Sequence, residues 1–131
     1  MYSRTVIDHV TRPRNVGYLD DPDGVGRMTG ECGDTMEIRL RVRNDAITQA
    51  SFMTDGCGST IAAGSMVTVL ATQKSVSEAA RIRQEAILEA LGGLPAESEH
   101  CATLAADTLD NAIRDYLALK KNPWKRAYRK L

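Results

Sequence analysis

Three cysteines are the residues of this chain whose type and surroundings best permit chemistry. Cys57 lies in the stretch Asp55-Gly56-Cys57-Gly58-Ser59-Thr60, between a strand-like run and a helix-like run. The flanking glycines lack Cβ atoms, so the backbone can turn sharply and the sulfur is uncrowded. Free N–H groups and the positive end of the dipole at a helix N-terminus favour the thiolate form. We therefore predict a reactive or metal-binding thiol at Cys57.

Each of the other two cysteines has a potential ligand close by in sequence. Cys32 belongs to Cys32-Gly33-Asp34, and Cys101 directly follows His100. Both cysteines lie in flexible or helix-start contexts, which we expect to present their sulfurs outward. Soft thiolates select zinc, copper(I) or iron–sulfur clusters, whereas calcium and magnesium prefer oxygen ligands. A four-coordinate site needs one ligand besides three thiolates, and Asp34 and His100 are both candidates for it.

The residue pattern alone leaves an ordinary alternative for these cysteines. A free cysteine is often a small buried apolar residue, and scattered ligands are a weaker signal than a paired Cys-x-x-Cys. Glycines flank Cys57 and follow Cys32, and the candidate ligands Asp34 and His100 lie within two positions of Cys32 and Cys101. The pattern therefore favours a metal or thiol site.

Length, composition and charge limit the class of protein. The chain has 131 residues, which predicts a single domain over residues 1–131. Its hydrophobic fraction of 43% suits a globular core, and its formal net charge of zero argues against a nucleic-acid-binding domain. Three widely spaced cysteines do not suggest a disulfide framework; they suit a reducing compartment.

The sequence contains no segment that predicts export or membrane insertion. The N-terminus shows no apolar signal core, and the weakly polar run at residues 60–72 is too short to span a membrane. We expect a cytoplasmic protein without membrane contact.

From about residue 120 the tail is basic, and we expect a solvated extension rather than a nucleic-acid or partner contact. Its cationic residues are Lys120, Lys121, Lys125, Arg126, Arg129 and Lys130.

Periodicity predicts one helix and a hairpin in the first half of the chain. Residues 3–10 carry apolar side chains at helical spacing. Residues 36–42 alternate apolar with charged side chains, which predicts a half-buried strand with a solvated row of arginines. Asn44-Asp45 predicts a tight turn, and residues 46–54 return as the second strand. The glycine-rich run at residues 24–30 misses the dinucleotide-binding spacing, so we interpret it as a strand or loop.

Helices are predicted in the second half. Small residues after Cys57 indicate a helix that packs closely on a sheet, and Ser75 with Glu78 forms a capping-box pattern. The helical run at residues 86–91 stops at Gly92-Gly93. An apolar stripe from Ala102 onward predicts the longest helix, near the C-terminus. This order of helix, strands and helices is typical of the α+β class.

Nearly the whole chain, from Tyr2 to Tyr116, resembles the iron–sulfur cluster assembly scaffolds of the IscU type, equivalent to the N-terminal domain of NifU. The resemblance rests on motifs that occur in the family's order with near-family spacing. They are Val6-Ile7-Asp8-His9, Pro13-Arg14-Asn15-Val16-Gly17, Cys32-Gly33-Asp34, Gly56-Cys57-Gly58-Ser59, Ile61-Ala62 and His100-Cys101. The family implies a three-stranded antiparallel sheet with helices packed on it, and a scaffold or carrier rather than an enzyme.

The resemblance also implies the site and the partners. Cys32, Cys57 and Cys101 would bind a [2Fe-2S] cluster, with Asp34 or His100 in the fourth position, and zinc would bind the cluster-free form. Cys101 also resembles the cysteine that accepts persulfide sulfur. The implied partners are a cysteine desulfurase, an electron-donating ferredoxin and cluster-acceptor apoproteins; a homodimer is left open.

Two sequence differences, one from the SufU relatives and one from the family pattern, bear on the function and partners that the resemblance implies. The relatives called SufU are similar zinc-dependent persulfide sulfurtransferases, but they carry an insertion before the third cysteine and an Arg directly preceding it. This chain has His100 there and no such insertion, which favours the scaffold over that alternative. Where the family has a Leu-Pro-Pro-Val-Lys segment, this chain has Leu94-Pro95-Ala96-Glu97-Ser98. We therefore expect it to work without the family's Hsp70-type chaperone.

Overall fold

The computed structural model describes residues 2–125 and 127. Of the basic tail, Arg126, Arg129 and Lys130 lie outside these residues. The helices and strands are α1 (Arg4–Thr11), β1 (Gly24–Thr29), β2 (Thr35–Arg43), β3 (Ala46–Thr54), α2 (Gly58–Ala71), α3 (Val76–Ala79), α4 (Gln84–Leu91), a 3-10 helix (Ala96–Ser98) and α5 (His100–Lys121).

The three strands form one antiparallel sheet in the order β1-β2-β3. Along β2 the predicted alternation is confirmed, since Met36, Ile38 and Leu40 are fully buried and the residues between them are not. The tight turn is confirmed as well, because Asn44 and Asp45 both have positive φ, at 53° and 58°. The glycine-rich run forms β1, which resolves the choice between strand and loop in favour of the strand.

The long helix α5 lies across β1 and β2, while α2 packs on β3 and α5. Small residues allow these close approaches. A Cβ at Gly26 of β1 would lie 2.3 Å from the Thr108 carbonyl oxygen of α5. A Cβ at Gly64 of α2 would lie 2.5 Å from Cδ2 of Phe52. The predicted α+β class, with a long C-terminal helix, is confirmed.

Local signals fix most helix ends. The Ser75 side chain accepts from the Glu78 backbone N–H and the Glu78 carboxylate accepts from the Ser75 backbone N–H, as the capping box predicted. Gly92 ends α4 in the left-handed conformation, with φ of 77°. The start of α5 differs, because the helix begins at His100 rather than at Ala102. Cys101 therefore lies inside the first turn and does not precede the helix.

The expectation of a merely solvated arginine row is wrong for Arg39. Its side chain is only 16% exposed; it donates to the Glu37 carboxylate at 2.8 Å and stacks 3.8 Å from the centroid of the Tyr18 ring. Arg41 donates to the Asp20 backbone carbonyl. These arginines therefore fasten residues 18–20 onto the outer face of β2.

Within residues 2–125 and 127, none of the helices combines the length and apolarity needed to cross a membrane.

Candidate metal and sulfur site

Three separate parts of the fold bring the predicted site residues together. Cys32 lies in the turn between β1 and β2, Cys57 is the N-cap of α2, and His100 and Cys101 open α5. His100 Nε2 lies 3.1 Å from Cys32 Sγ and 3.8 Å from Cys101 Sγ. One imidazole thus contacts the sulfurs of two cysteines that are far apart in sequence.

A threonine that the sequence reasoning missed joins the remaining residues. The Thr60 hydroxyl donates to Asp34 Oδ2 at 2.9 Å. Its Oγ1 also lies 3.4 Å from Cys101 Sγ and 3.8 Å from Cys57 Sγ. The signal in the sequence is the spacing of three residues from Cys57, which is about one helical turn and places both side chains on one face.

These side chains are adjacent but do not form a ready-made metal site. Among the described residues, no three His, Cys, Asp or Glu side chains form a group that could hold a metal ion. The predicted ligands contact one another in pairs or through the Thr60 hydroxyl.

Cys57 is an exposed thiol whose pKa is lowered by its surroundings. Hydrogen bonds from the Thr60 backbone N–H, the largest contribution, and from the Ser59 backbone N–H lower the pKa of the Cys57 thiol below its ordinary value. Partial burial and the nearby Asp34 carboxylate act in the opposite direction. The residue caps α2 in an extended conformation and is exposed. The expectation that this helix start favours the thiolate is confirmed.

Cys101, unlike Cys57, is buried, and its pKa is shifted in the opposite direction. Only 2% of its surface is exposed, because it lies in the first turn of α5 beside the buried Ala102. Burial raises the pKa of the Cys101 thiol, and the nearby Cys57, Cys32 and Asp34 raise it further. The expectation that this sulfur points outward is therefore wrong, since the turn expected to leave it exposed is packed into the core.

Glycines shape the two loops that carry the other ligands. Cys32 is exposed, and the turn that holds it uses Gly33 at φ of 88°. Gly56 leaves room for the contact between Asp34 and Thr60, since a Cβ there would lie 2.7 Å from Asp34 Oδ2 and 2.6 Å from Thr60 Cβ. The need for small residues beside these cysteines is thus steric as well as conformational.

Comparison with known proteins identifies the family. The profile of the NifU-like N terminal domain matches residues 1–123. The chain belongs to the NifU-like N-terminal domain family. The chain is 48% identical over 117 residues to a protein of Archaeoglobus fulgidus named iron-sulfur cluster assembly scaffold protein IscU 1, covering 88% of this chain and 76% of the relative. It is 43% identical over 122 residues to a protein of Haemophilus influenzae named iron-sulfur cluster assembly scaffold protein IscU, covering 89% of this chain and 96% of the relative.

A solved structure supports the same fold. The N-terminal part of a nitrogen-fixing NifU-like protein from Brucella abortus superposes with a TM-score of 0.70, covering 88% of this chain and 94% of that one. At 18% identity this likeness bears on the fold alone. The resemblance to IscU and NifU drawn from the sequence motifs is confirmed by the family profile and the two relatives.

Proposed function

We propose that this chain is a scaffold on which an iron–sulfur cluster is built and from which it passes to acceptor proteins. The observation that supports this proposal best is that three thiols, one carboxylate and one imidazole lie next to one another at a partly exposed site. Incomplete cysteine ligation suits a cluster that must later leave, because a carboxylate is a harder and poorer ligand for cluster iron than a thiolate. The relatives named as cluster assembly scaffolds support the same role.

Each site residue has a proposed role in this function. Cys32, Cys57 and Cys101 bind the iron of a [2Fe-2S] cluster, and Asp34 or His100 completes the set. Sulfur arrives from a cysteine desulfurase as a persulfide on Cys101. Two electrons and two protons per sulfur convert that persulfide to a thiol and hydrogen sulfide, and a ferredoxin supplies the electrons. Because Cys101 is buried, docking of the desulfurase must open the first turn of α5.

The cluster is cargo, so the chain acts as a carrier and not as an enzyme with turnover of its own. All three cysteines are free thiols, which supports a reducing, cytoplasmic setting. Zinc in the cluster-free form would use the same thiolate-rich set. The names of the relatives do not favour the SufU-type zinc sulfurtransferase.

Anaerobic reconstitution tests this proposal. The protein is incubated with iron(II), cysteine, a cysteine desulfurase and a reductant, then analysed by absorption spectroscopy and for bound iron, sulfide and zinc. A [2Fe-2S] spectrum with equal iron and sulfide, followed by transfer to an apo-ferredoxin, is expected. Persulfide on Cys101 in a parallel incubation without the reductant, together with retained zinc and no cluster in the full mixture, would identify the sulfurtransferase instead. Retained zinc with neither persulfide nor cluster would indicate a plain zinc-binding interaction domain.

A further inference from the structure

The Thr60 side chain occupies the middle of the site, although threonine is not among the predicted ligands. It is fully buried in the first turn of α2, and its Oγ1 is within 4 Å of Asp34, Cys57 and Cys101. A hydroxyl has one proton to donate, and the geometry gives that proton to Asp34 Oδ2 at 2.9 Å. The same oxygen remains free to accept a hydrogen bond from a thiol.

This hydrogen bond constrains the Asp34 carboxylate. Oδ2 accepts the hydrogen bond from Thr60, which occupies one of its lone-pair sites and fixes the orientation of the carboxylate, so Oδ1 is the oxygen better placed to meet a metal ion. Hydrogen bonds of this kind fix the orientation of a ligand, and their loss typically weakens metal affinity about 10- to 100-fold. Gly56 preserves the arrangement, because any larger residue there would collide with both Asp34 Oδ2 and Thr60 Oγ1 at 2.7 Å.

We propose that Thr60 is a positioning residue that orients Asp34 so that Oδ1 enters the ligand set. The inference rests on the proposed function, since it concerns how the same site receives iron. Thr60 does not bind the metal; it acts through Asp34. A consequence is that Thr60 and Asp34 contribute as a coupled pair, and the hydroxyl loses its effect on metal binding once the carboxylate is removed.

Cobalt(II) titration of the metal-free protein under anaerobic conditions tests this coupling. The thiolate-to-cobalt charge-transfer band reports the cysteines, and the visible d–d bands report the complete ligand set. Thr60→Val removes the hydroxyl at nearly constant volume and should weaken cobalt affinity about 10-fold or more. Its d–d bands should move towards those of Asp34→Ala. Thr60→Ser, which keeps the hydroxyl, should restore both the affinity and the bands.

Thr68→Val is the matched control. Thr68 is also buried on α2, and its hydroxyl donates to the Ser65 carbonyl at 2.7 Å, away from the site. This variant should bind cobalt as the parent does, and thermal melts of all variants check that the fold is retained. In a double-mutant cycle, Thr60→Val should have no further effect in the Asp34→Ala background.

The outcomes separate this inference from the proposed function. Parent-like cobalt affinity in Thr60→Val, or an equal loss with and without Asp34, would overturn the positioning role even if the parent assembles a cluster. Coupling between Thr60 and Asp34 in a parent that assembles no cluster would overturn the scaffold function alone. A parent that binds no cobalt would overturn the positioning role, and cluster reconstitution would still decide the scaffold function.

Discussion

Cys57 and Cys101 carry the same thiol, but their surroundings shift the two pKa values in opposite directions. Hydrogen bonds at the start of α2 lower the pKa of Cys57, whereas burial raises that of Cys101. A thiolate is the form that attacks electrophiles and binds metal. In the metal-free protein, incoming iron or an oxidant therefore meets Cys57 as the readier nucleophile.

We expect the two thiols to be alkylated in a fixed order as pH rises. A lowered pKa means that Cys57 deprotonates at a lower pH than an ordinary thiol does. A raised pKa means that Cys101 deprotonates only at higher pH. Iodoacetamide rates measured by peptide mass spectrometry across a pH series should therefore place the Cys57 midpoint below that of Cys101. Cys57→Ser provides the assignment control, and a lower midpoint for Cys101 would contradict the order.

Asp34 has a separate prediction that concerns cluster release. Asp34→Ala should keep the fold and slow cluster transfer, because it removes the oxygen ligand that exchanges most readily with incoming thiols. The rate of cluster transfer from the cluster-loaded variant to an apo-ferredoxin, monitored by absorption spectroscopy, tests this prediction. Glu31→Ala, a neighbouring exposed carboxylate, is the control and should transfer as the parent does. Equal or faster transfer from Asp34→Ala would count against the role.

At the scale of elements, the close contact between β1 and α5 places the loop that contains Cys32 beside the start of α5. Gly26→Ala should destabilise the protein by about 2 kcal/mol or more, since overpacking typically costs about 1–3 kcal/mol and the backbone of α5 cannot yield easily. The new Cβ would meet Thr108 O at 2.3 Å and Ala112 N at 2.5 Å. Urea unfolding measures the loss.

Gly30→Ala is the matched control on the same stretch of chain. Its Cβ would meet only the Leu104 side chain, at 3.3 Å, which can move by a few tenths of an ångström. We expect its cost to be under about 1 kcal/mol. Equal losses in the two variants would show that the close contact with the helix backbone is not what selects glycine at residue 26.

The segment before α5 is the element that differs most from the family pattern. Residues 96–98 are not extended, because they form a 3-10 helix, and Glu97 is exposed. Recognition of an extended peptide needs an apolar side chain in a pocket, and an unpaired carboxylate there is strongly unfavourable. A titration of the peptide 94–100 against a family-type Hsp70 chaperone should show no binding at micromolar concentrations.

The control peptide carries Ala96→Pro, Glu97→Val and Ser98→Lys, which restores the family segment. It should bind in the micromolar range. Micromolar binding of the native peptide would contradict the expectation that this chain works without the chaperone.

Elements whose signals are local could be predicted from the sequence. The alternation of β2, the capping box at Ser75 and the left-handed Gly92 depend on neighbours within a few residues. The burial of Cys101 and the central position of Thr60 depend on how the starts of α2 and α5 meet across the sheet. Side chains brought together by such distant contacts leave no periodic pattern, so the chemistry of the ligands was predictable but their geometry was not.

At the scale of the whole molecule, the site ties together three parts of the chain that are remote in sequence. The turn after β1 and the starts of α2 and α5 each supply a thiol, and these parts also border the core. A ligand that binds the folded chain and not the unfolded one stabilises the fold by mass action. Metal binding should therefore raise the unfolding temperature of the entire domain.

Zinc(II) at about 100 times its dissociation constant should add about 2.7 kcal/mol of stability. For a domain of this size that corresponds to a rise in Tm of about 10 °C, measurable by circular dichroism in the presence of a reductant. A chelator should reverse the rise. Cys32→Ser should reduce it, because the exposed turn would no longer be held to the starts of the two helices. The variant with all three cysteines changed to serine should lose it, and an undiminished rise there would show that the stabilising zinc binds elsewhere.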